Sequence, residues 1–228
     1  MSFPDPEQRS CRVRTEARYL LSRPEQMKAN PVAILALHGY GSNPQTMLRL
    51  TRAAVGPEHP IAALEGPNQF YLRAPGGDTG YNWGVSDHAV ANIALHHEIV
   101  LATIAAVREE IGVASSRCVL AGFSQPCGLN YRFIATHGGH VGGVIAICGG
   151  VPHDWESGPF LDEVGCPVLH ISRDADEFYP AEKAAAFPAR LRRRIQDVEF
   201  HMLPGEHRFP SQGGPLIRDW LNRHFDGY

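Results

Sequence analysis

Short, continuously apolar runs recur along the chain, and each is followed by a stretch with helical periodicity. The first clear example is PVAILALHG at 31–39, and a similar run, RCVLAGFS, occupies 117–124. An apolar run of this length without alternation indicates a strand that is buried on both faces, as in a parallel sheet. Alternating strands and helices therefore predict an α/β fold, with a mostly parallel central sheet and helices on both faces.

The same criteria place the remaining elements. They predict one or two edge strands within 12–21, buried strands at 61–64, 141–147, 167–172 and 198–203, and helices at 42–56, 92–113, 125–139, 180–195 and 215–225. Asn43 is placed to cap the first helix, Pro44 lies in its first turn, and Gly112 lies near the end of the second. Pro188 lies inside the fourth helix or breaks it. The Gly-, Asn- and Asp-rich segment 65–90 is predicted to be a long loop.

Length and composition narrow the classes of protein. The 228 residues fit a single domain over 1–228 that folds without a disulfide or a structural metal. Five cysteines without a C-x-x-C pair and an N-terminus without an apolar signal core predict a reducing, cytoplasmic setting. The 12 histidines form no closed set of zinc ligands in the sequence, so no metal is expected. A net charge of −3 predicts no nucleic-acid binding, and the lack of an apolar run near 18 residues predicts no stable membrane insertion.

Two serines stand in G-x-S triplets, Ser86 in GVS and Ser124 in GFS. The triplet alone carries little weight, because a chain with 23 glycines contains such matches by chance. An apolar strand precedes Ser124 and a helical stretch follows it, which is the order that exposes a nucleophilic serine above a sheet edge. The N–H groups at the start of the helix then lie beside a developing oxyanion. The context therefore predicts Ser124 as a nucleophile.

A serine nucleophile needs a base, and the base needs an orienting acid. Both residue types follow later strands, whose carboxyl ends share one edge of a parallel sheet. The segment SRDADEFYP supplies three acidic candidates, Asp174, Asp176 and Glu177. The segment LPGEH supplies His207 as the base, whereas His201 lies inside a strand pattern and His224 late in the last helix.

The segment LALHGYGSNP directly follows the first central strand. A Gly-rich turn lets the backbone approach a substrate closely, and a loop at this place supplies an oxyanion donor in α/β-hydrolases. We predict an oxyanion hole formed by the backbone N–H groups of Tyr40 and Gln125. The alternative is that 38–41 is simply a tight turn between a strand and a helix.

Together, LHGYG, GFSQ, SRDADEFYP and LPGEH resemble the ordered motifs of the phospholipase/carboxylesterase family of small α/β-hydrolases, which includes acyl-protein thioesterases. GP at 66–67 and GYNWG at 80–84 also resemble the motifs of this family. The resemblance as a whole extends from about residue 32 to the chain end. The resemblance implies an α/β-hydrolase fold and hydrolysis of a small-molecule acyl ester or thioester without metal or organic cofactor.

By position, the resemblance implies a triad of Ser124 as nucleophile, His207 as base and Asp176 as acid, four residues before Pro180. The elbow departs from the family pattern, because GFSQGG is replaced by GFSQPC. Pro126 disfavours a helical conformation at the residue before it, but its fixed φ and missing N–H fit a first helical turn. We expect an intact, slightly remodelled elbow, with the neighbouring cysteine at 127 as a small core residue.

About twenty residues separate the strands at 141–147 and 167–172, so no large lid domain is expected and the site should be open and shallow. The candidate apolar walls are Tyr81, Trp83, Trp155 and Phe178, and Trp83 and Phe178 are the candidates assigned to substrate binding. Short or medium acyl chains fit such a site. The alternatives are an amide or lactone hydrolase on the same triad, or a non-catalytic hydrolase-fold protein that binds a ligand.

Overall fold

The predicted strands assemble into a central sheet in the computed structural model, which describes residue 7 and residues 9–226. The described strands are β1 (Tyr19–Ser22), β2 (Ala33–Leu37), β3 (Ile61–Leu64), β4 (Asn68–Tyr71), β5 (Thr79–Asn82), β6 (Cys118–Phe123), β7 (Gly143–Ile147), β8 (Val168–Arg173) and β9 (Val198–Leu203). The described α-helices are α1 (Pro44–Val55), α2 (Ala89–Ile111), α3 (Pro126–Thr136), α4 (Ala181–Ala184), α5 (Phe187–Leu191) and α6 (Gly213–Leu221). A 3₁₀ turn at Ser115–Arg117 and a π-helical segment at Asn222–Asp226 accompany them.

The central sheet has seven strands in the order β1-β3-β2-β6-β7-β8-β9. β1 pairs antiparallel with β3 at one edge, and the other neighbours pair in parallel. β2 lies between β3 and β6 in the sheet. The chain goes from β2 through α1 to β3 on one side of β2, and after the β4–β5 segment it returns through α2 to β6 on the other side. The crevice at the carboxyl ends of β2 and β6, where this direction reverses, is where open α/β sheets bind ligands. The predicted mostly parallel α/β fold is confirmed.

Alternate side chains of the central strands enter two separate cores. In β2, Leu35 and Leu37 face the core covered by α2, α3 and α5, whereas Ile34 and Ala36 face the core covered by α1 and α6. Every residue of β2 is buried. Burial on both faces explains why the sequence of this strand is continuously apolar and does not alternate.

The helix boundaries confirm three signals in the sequence. The Asn43 side chain accepts a hydrogen bond from the Thr46 N–H at 2.8 Å at the start of α1. Gly112, with φ 78°, ends α2. Pro188 stands in the first turn of α5, so the predicted helix over 180–195 is divided into two short helices. A proline has no N–H to continue the hydrogen bonds of the preceding turn.

The prediction of a long loop over 65–90 is wrong in part. β4 and β5 form an antiparallel ribbon there, with Asn68 opposite Asn82 and Tyr71 opposite Thr79. A bridge between Ser42 and Tyr81 attaches the ribbon to the turn after β2. The residues of β4 are mostly exposed, so the ribbon depends on backbone pairing and lacks the apolar alternation by which a strand is predicted. The predicted edge strand within 12–21 is also shorter, since β1 starts at Tyr19.

The segment between β7 and β8 contains turns but no helix or strand, so the predicted absence of a large lid domain is confirmed for the described residues. The predicted single domain over 1–228 extends at both ends beyond these residues and stays a prediction. α2 is long and apolar enough to cross a membrane, with a mean hydropathy of 1.6 over an 18-residue window, although the sequence analysis expects no such segment. Core helices pass the same test, and α2 packs on the sheet through seven buried residues.

Gly142, which precedes β7, is expected to be essential for stability. A Cβ added there would lie 1.8 Å from the Ser116 carbonyl oxygen, so the backbone would have to move. We expect Gly142→Ala to lower the free energy of unfolding by about 3 kcal/mol, measured by urea denaturation. Gly165→Ala is the control, because its Cβ would meet nothing within 4 Å, and a change below about 1 kcal/mol is expected. Equal effects of the two substitutions would contradict this account.

Candidate active site

Ser124 occupies a strained turn between β6 and α3. Its φ is 64°, a left-handed conformation that costs a non-glycine residue about 1–3 kcal/mol. The Ser124 N–H donates to the Ile147 carbonyl at 2.8 Å, which ties the turn to the end of β7. The turn therefore has the strand–turn–helix geometry of a nucleophile elbow. Ser86, the other G-x-S serine, lies in the exposed segment between β5 and α2.

Ser124, His207 and Asp176 form a continuous hydrogen-bonded line. The Ser124 Oγ lies 2.9 Å from the His207 Nε2, and the His207 Nδ1 lies 2.7 Å from the Asp176 Oδ2. An ionised carboxylate only accepts hydrogen bonds, so the imidazole proton belongs on Nδ1. Nε2 is then free to accept the hydroxyl proton of Ser124. The structure thus brings together the three residues that the sequence predicts as a triad.

The Asp176 carboxylate is held from two sides. Its Oδ1 accepts from the backbone N–H groups of Phe178 and Tyr179, both at 2.9 Å, while Oδ2 faces His207. Its side chain is only 1 % exposed. Such bonds fix the orientation of the carboxylate and leave one oxygen for the imidazole.

The other acidic candidates support the loop that carries His207. Asp174 Oδ1 accepts from the Gly205 N–H at 2.7 Å, and a Glu177 carboxylate oxygen accepts from the His207 N–H at 3.3 Å. Gly205 has φ 124°, and a Cβ there would lie 1.8 Å from the Arg173 guanidinium. A φ of this size is strained for any other residue, and a side chain would also displace Arg173, so the position favours glycine.

The other histidine candidates lie elsewhere. The His201 Nε2 lies 2.7 Å from a Glu199 carboxylate oxygen on the same strand. His224 packs against Trp220, and its Nδ1 lies 3.7 Å from Asp197. Among the described residues, His207 is the histidine that the hydrogen bonds connect to Ser124.

The loop after β2 lies directly beside Ser124. A Cβ at Gly39 would lie 3.3 Å from the Ser124 Cβ and 3.1 Å from the Phe123 ring, so the backbone approaches the elbow closely. The neighbouring N–H of Tyr40 and the N–H of Gln125 donate to no carbonyl among the loop and turn hydrogen bonds of the described residues. The Tyr40 side chain is exposed and rests on Phe70, with ring centroids 5.3 Å apart.

His38 fixes the shape of this loop as a neutral ring. Its Nε2 accepts from the Gly66 N–H at 3.0 Å, so the ring proton lies on Nδ1, which is 2.8 Å from the Gly39 carbonyl oxygen. Burial lowers the pKa of His38, and the bond to Gly39 acts in the opposite direction. The indole N–H of Trp83 donates to the His38 carbonyl at 2.8 Å. The turn is thus held on both sides of the predicted oxyanion donor.

Gln125 has a second role that sequence patterns do not reveal. Its side-chain oxygen accepts from the Trp83 N–H at 3.0 Å, and its side-chain nitrogen donates to the Gly84 carbonyl at 2.7 Å. One residue therefore joins the elbow to the segment after β5. The sequence shows a glutamine directly after the serine, but it does not show which residues the side chain bonds, because Trp83 and Gly84 are distant in the chain.

The predicted apolar walls differ in exposure. Trp83 and Trp155 are 1 % and 0 % exposed, so Trp155 is a core residue and Trp83 mainly braces the loop that contains His38. Phe178 is 67 % exposed and meets the His207 ring edge-on, with centroids 4.8 Å apart. Tyr81 is half-buried in the β4–β5 ribbon. Phe178 is thus the wall candidate that stands at the mouth of the site.

A small apolar cavity lies beside Gln125. It has a volume of about 260 Å³ between α2, α3 and the segment after β5. Its lining includes Trp83, Val85, Ile93, Leu129 and Pro152. The cavity offers an apolar surface next to the residue that follows Ser124.

Tyr179 is a further residue of the site that sequence patterns do not single out. Its ring lies beside His207, with centroids 5.8 Å apart. Burial raises the pKa of Tyr179 to about 12, whereas a hydrogen bond with the Ser124 side chain acts in the opposite direction. The phenol is therefore neutral and its hydroxyl lies near the Ser124 side chain.

The proline in the elbow is accommodated. Gln125 keeps a right-handed helical conformation, with φ −49° and ψ −47°, although Pro126 follows it. Pro126 is the first residue of α3. Its Cγ lies over Gly122 without crowding it, because even a Cβ added to Gly122 would be 3.5 Å away, an ordinary van der Waals distance. Cys127 is fully buried, its Sγ lies 3.2 Å from the Gly122 carbonyl, and burial raises its pKa. The expectation that Cys127 is a core residue is confirmed.

The family comparison agrees with this geometry. The model of the family described as phospholipase/carboxylesterase matches residues 23–225. The chain belongs to the phospholipase/carboxylesterase family. It is therefore a hydrolase, and membership of this family favours an enzyme over the alternative of a non-catalytic ligand-binding protein. None of the curated proteins matches the sequence.

Solved structures share the fold. The structure of esterase PE8 has a TM-score of 0.75 and 19 % identity, with 92 % of this chain and 100 % of that chain covered. A Bacillus cereus carboxylesterase has a TM-score of 0.71 and 15 % identity, over 92 % of this chain and 95 % of that one. A carboxylesterase from Mesorhizobium loti has a TM-score of 0.66 and 20 % identity, over 90 % and 94 %. The α/β-hydrolase fold is confirmed for this family member.

Replacing the elbow proline tests whether the elbow is intact. Because Gln125 already has a helical conformation, Pro126→Gly should change kcat/KM for an ester by less than about tenfold, or about 1.4 kcal/mol. The free energy of unfolding should fall by about 1 kcal/mol, because the unfolded chain gains freedom. Pro44→Gly, at the matching position of α1, is the control for stability without an effect on activity. If Pro126→Gly creates an activity that the parent lacks entirely, the elbow of the parent is not intact.

Proposed function

We propose that this family member hydrolyses carboxylic esters or thioesters through Ser124, His207 and Asp176, with an acyl-enzyme intermediate. The observation that carries the proposal is the line of two hydrogen bonds, 2.9 Å from Ser124 to His207 and 2.7 Å from His207 to Asp176. Both distances are within the range required of a working base and its orienting acid.

In the first step, His207 Nε2 takes the proton of Ser124 while the serine oxygen attacks the acyl carbonyl. The His207 cation that forms is stabilised by Asp176, whose carboxylate is buried and fixed by two N–H groups. His207 then gives its proton to the leaving group, and water hydrolyses the acyl-enzyme with His207 again as base. Formation of the acyl-enzyme releases an alcohol or a thiol, and its hydrolysis releases a carboxylic acid.

The negative oxygen of the tetrahedral intermediate would be stabilised by the backbone N–H groups of Tyr40 and Gln125. The proposal is supported by the close approach of Gly39 to Ser124 and by the bonds that hold His38 on the other side of that turn. Preformed donors of this kind typically contribute about 3–4 kcal/mol of transition-state stabilisation each.

Several features favour a short or medium acyl chain. The cavity beside Gln125 is apolar and has a volume of about 260 Å³, and the described residues contain no large lid. Phe178 provides an exposed aromatic surface at the mouth, and Trp83 forms part of the cavity wall from behind. We propose that these two residues contact the substrate.

The same triad could cleave an amide or a lactone, which is the second candidate activity. A panel of matched p-nitrophenyl ester, thioester, anilide and lactone substrates distinguishes them. We propose that esters and thioesters are cleaved faster than the anilide by the wild-type protein.

The five free cysteines are consistent with the proposed reducing, cytoplasmic setting.

Removing the nucleophile should abolish turnover. We expect Ser124→Ala to lower kcat for p-nitrophenyl esters by about 10⁴- to 10⁶-fold with an unchanged fold, measured by circular dichroism. Ser86→Ala is the matched control, since it removes the other G-x-S serine from an exposed segment and should keep full activity. A fluorophosphonate probe should label the wild-type protein once and the Ser124→Ala variant not at all. Unchanged turnover in Ser124→Ala would refute the assignment.

Removing the charge of the acid should reverse the tautomer of the base. In Asp176→Asn the amide can donate to Nδ1, so the ring proton moves to Nε2 and the base can no longer accept from Ser124. We expect kcat to fall by about 10⁴-fold. Asp174→Asn is the control, because an amide oxygen can still accept from the Gly205 N–H, and its kcat should stay within a few-fold of the wild-type value. A larger loss in Asp174→Asn than in Asp176→Asn would assign the acid to residue 174.

A further inference from the structure

A cysteine outside the triad lies close to two of its members. Cys148 directly follows β7 with φ 49°, is 1 % exposed, and its Sγ lies 3.5 Å from the Arg208 carbonyl oxygen. One potential ligand atom from each of Cys148, Asp176 and His207 lies within 4.8 Å of the other two. The mechanism does not use the thiol, so the cluster has donor atoms beyond those the reaction needs.

We propose that Cys148, Asp176 and His207 form an inhibitory site for a thiophilic divalent cation such as Zn²⁺. The inhibitory part of this inference rests on the proposed function, because it assumes that His207 is the base for Ser124. The binding part rests on the donor atoms alone.

The donor set fits the chemistry of Zn²⁺. Thiolate, imidazole and carboxylate are its usual protein ligands, with Zn–S near 2.3 Å and Zn–N or Zn–O near 2.0–2.2 Å. The ligand atoms already lie within 4.8 Å of one another, so the ion requires only that His207 Nδ1 and Asp176 Oδ2, now 2.7 Å apart, separate slightly and that the Cys148 side chain adjusts to them. A water molecule can complete the tetrahedron from the side of His207, the most exposed of the three side chains.

Binding replaces two existing hydrogen bonds and moves the imidazole proton. The Sγ–H of Cys148 no longer donates to the Arg208 carbonyl, and its proton passes to the solvent as the thiolate forms on the metal. The imidazole proton leaves Nδ1, which faces Asp176, and the ring carries one proton on Nε2 instead. The Oδ2 of Asp176, which no longer accepts from His207, becomes a ligand, while Oδ1 keeps its bonds to the N–H groups of Phe178 and Tyr179.

This rearrangement explains why the ion inhibits. With the metal on Nδ1 and the proton on Nε2, the nitrogen that lies 2.9 Å from the Ser124 Oγ can donate but cannot accept. The base is lost without a change in the position of the nucleophile. Removing the ion restores the original tautomer, so the inhibition is reversible.

Zinc titration of esterase activity tests inhibition. We expect Zn²⁺ to inhibit p-nitrophenyl ester hydrolysis by the wild-type protein, and a chelator to restore it. Cys148→Ala should raise the half-inhibiting Zn²⁺ concentration by at least about tenfold, each variant being compared with its own rate without metal. Cys166→Ala is the control. Cys166 lies before the amino-terminal end of β8, away from the carboxyl ends where the site lies, so its loss should leave the zinc response unchanged. An equal response of the wild-type and Cys148→Ala proteins would overturn the proposal. Cys148→Ser replaces Cys148→Ala if the alanine variant does not fold.

Metal binding is measured separately in an inactive protein. Ser124→Ala keeps all three ligands, so it should bind one Zn²⁺ by equilibrium dialysis, and Co²⁺ should give the charge-transfer absorption of a cobalt–thiolate bond. Adding Cys148→Ala should remove both signals. A lack of metal binding by Ser124→Ala would overturn the site. If Zn²⁺ binds but does not inhibit the wild-type esterase, the inhibitory role is overturned. If the wild-type protein has no esterase activity, the proposed function is contradicted, but the dialysis experiment still tests the metal site.

Discussion

The positive φ of Ser124 is the constraint on which the rest of the site depends. Close packing maintains it: a Cβ at Gly149 would lie 2.6 Å from the Ser124 carbonyl oxygen, and one at Gly122 would lie 2.8 Å from the Asn130 side chain. Because glycine has no side chain at these positions, the ends of β6 and β7 can approach the turn and hold it in a strained conformation. The serine hydroxyl is thereby raised above the sheet edge, where residues from other strands can reach it.

Around this turn, the candidate catalytic groups are held in place by hydrogen bonds from neighbouring residues and from the backbone. Asp176 is oriented by two backbone N–H groups, and the loop of His207 is held by Asp174. His38 shapes the turn before Tyr40, and the Gln125 side chain fixes the segment after β5. Such preorganisation matters because a catalytic group that is misplaced by 1 Å can lose about 10²-fold in rate.

Much of this could be predicted from the sequence, because the signals are local. The buried strands follow from apolar runs, the start of α1 from Asn43, and the candidate triad from residues that follow strands in a hydrolase order. The β4–β5 ribbon could not be predicted, because it is exposed and depends on backbone pairing with the turn at Ser42. The burial of Trp155 could not be predicted either, because an aromatic residue in a loop sequence gives no sign of whether its side chain packs into the core or faces solvent.

The sequence by itself determined the order of strands and helices and the residue types at the strand ends, since both depend on neighbours within a few positions. Only the tertiary structure decided the distances between those ends, because β6, β7, β8 and β9 are adjacent in space but separated by many residues in the chain. The Ser124–His207 bond and the approach of Cys148 to Asp176 are of this second kind. The parallel sheet fixes them by aligning the carboxyl ends of its strands at one edge.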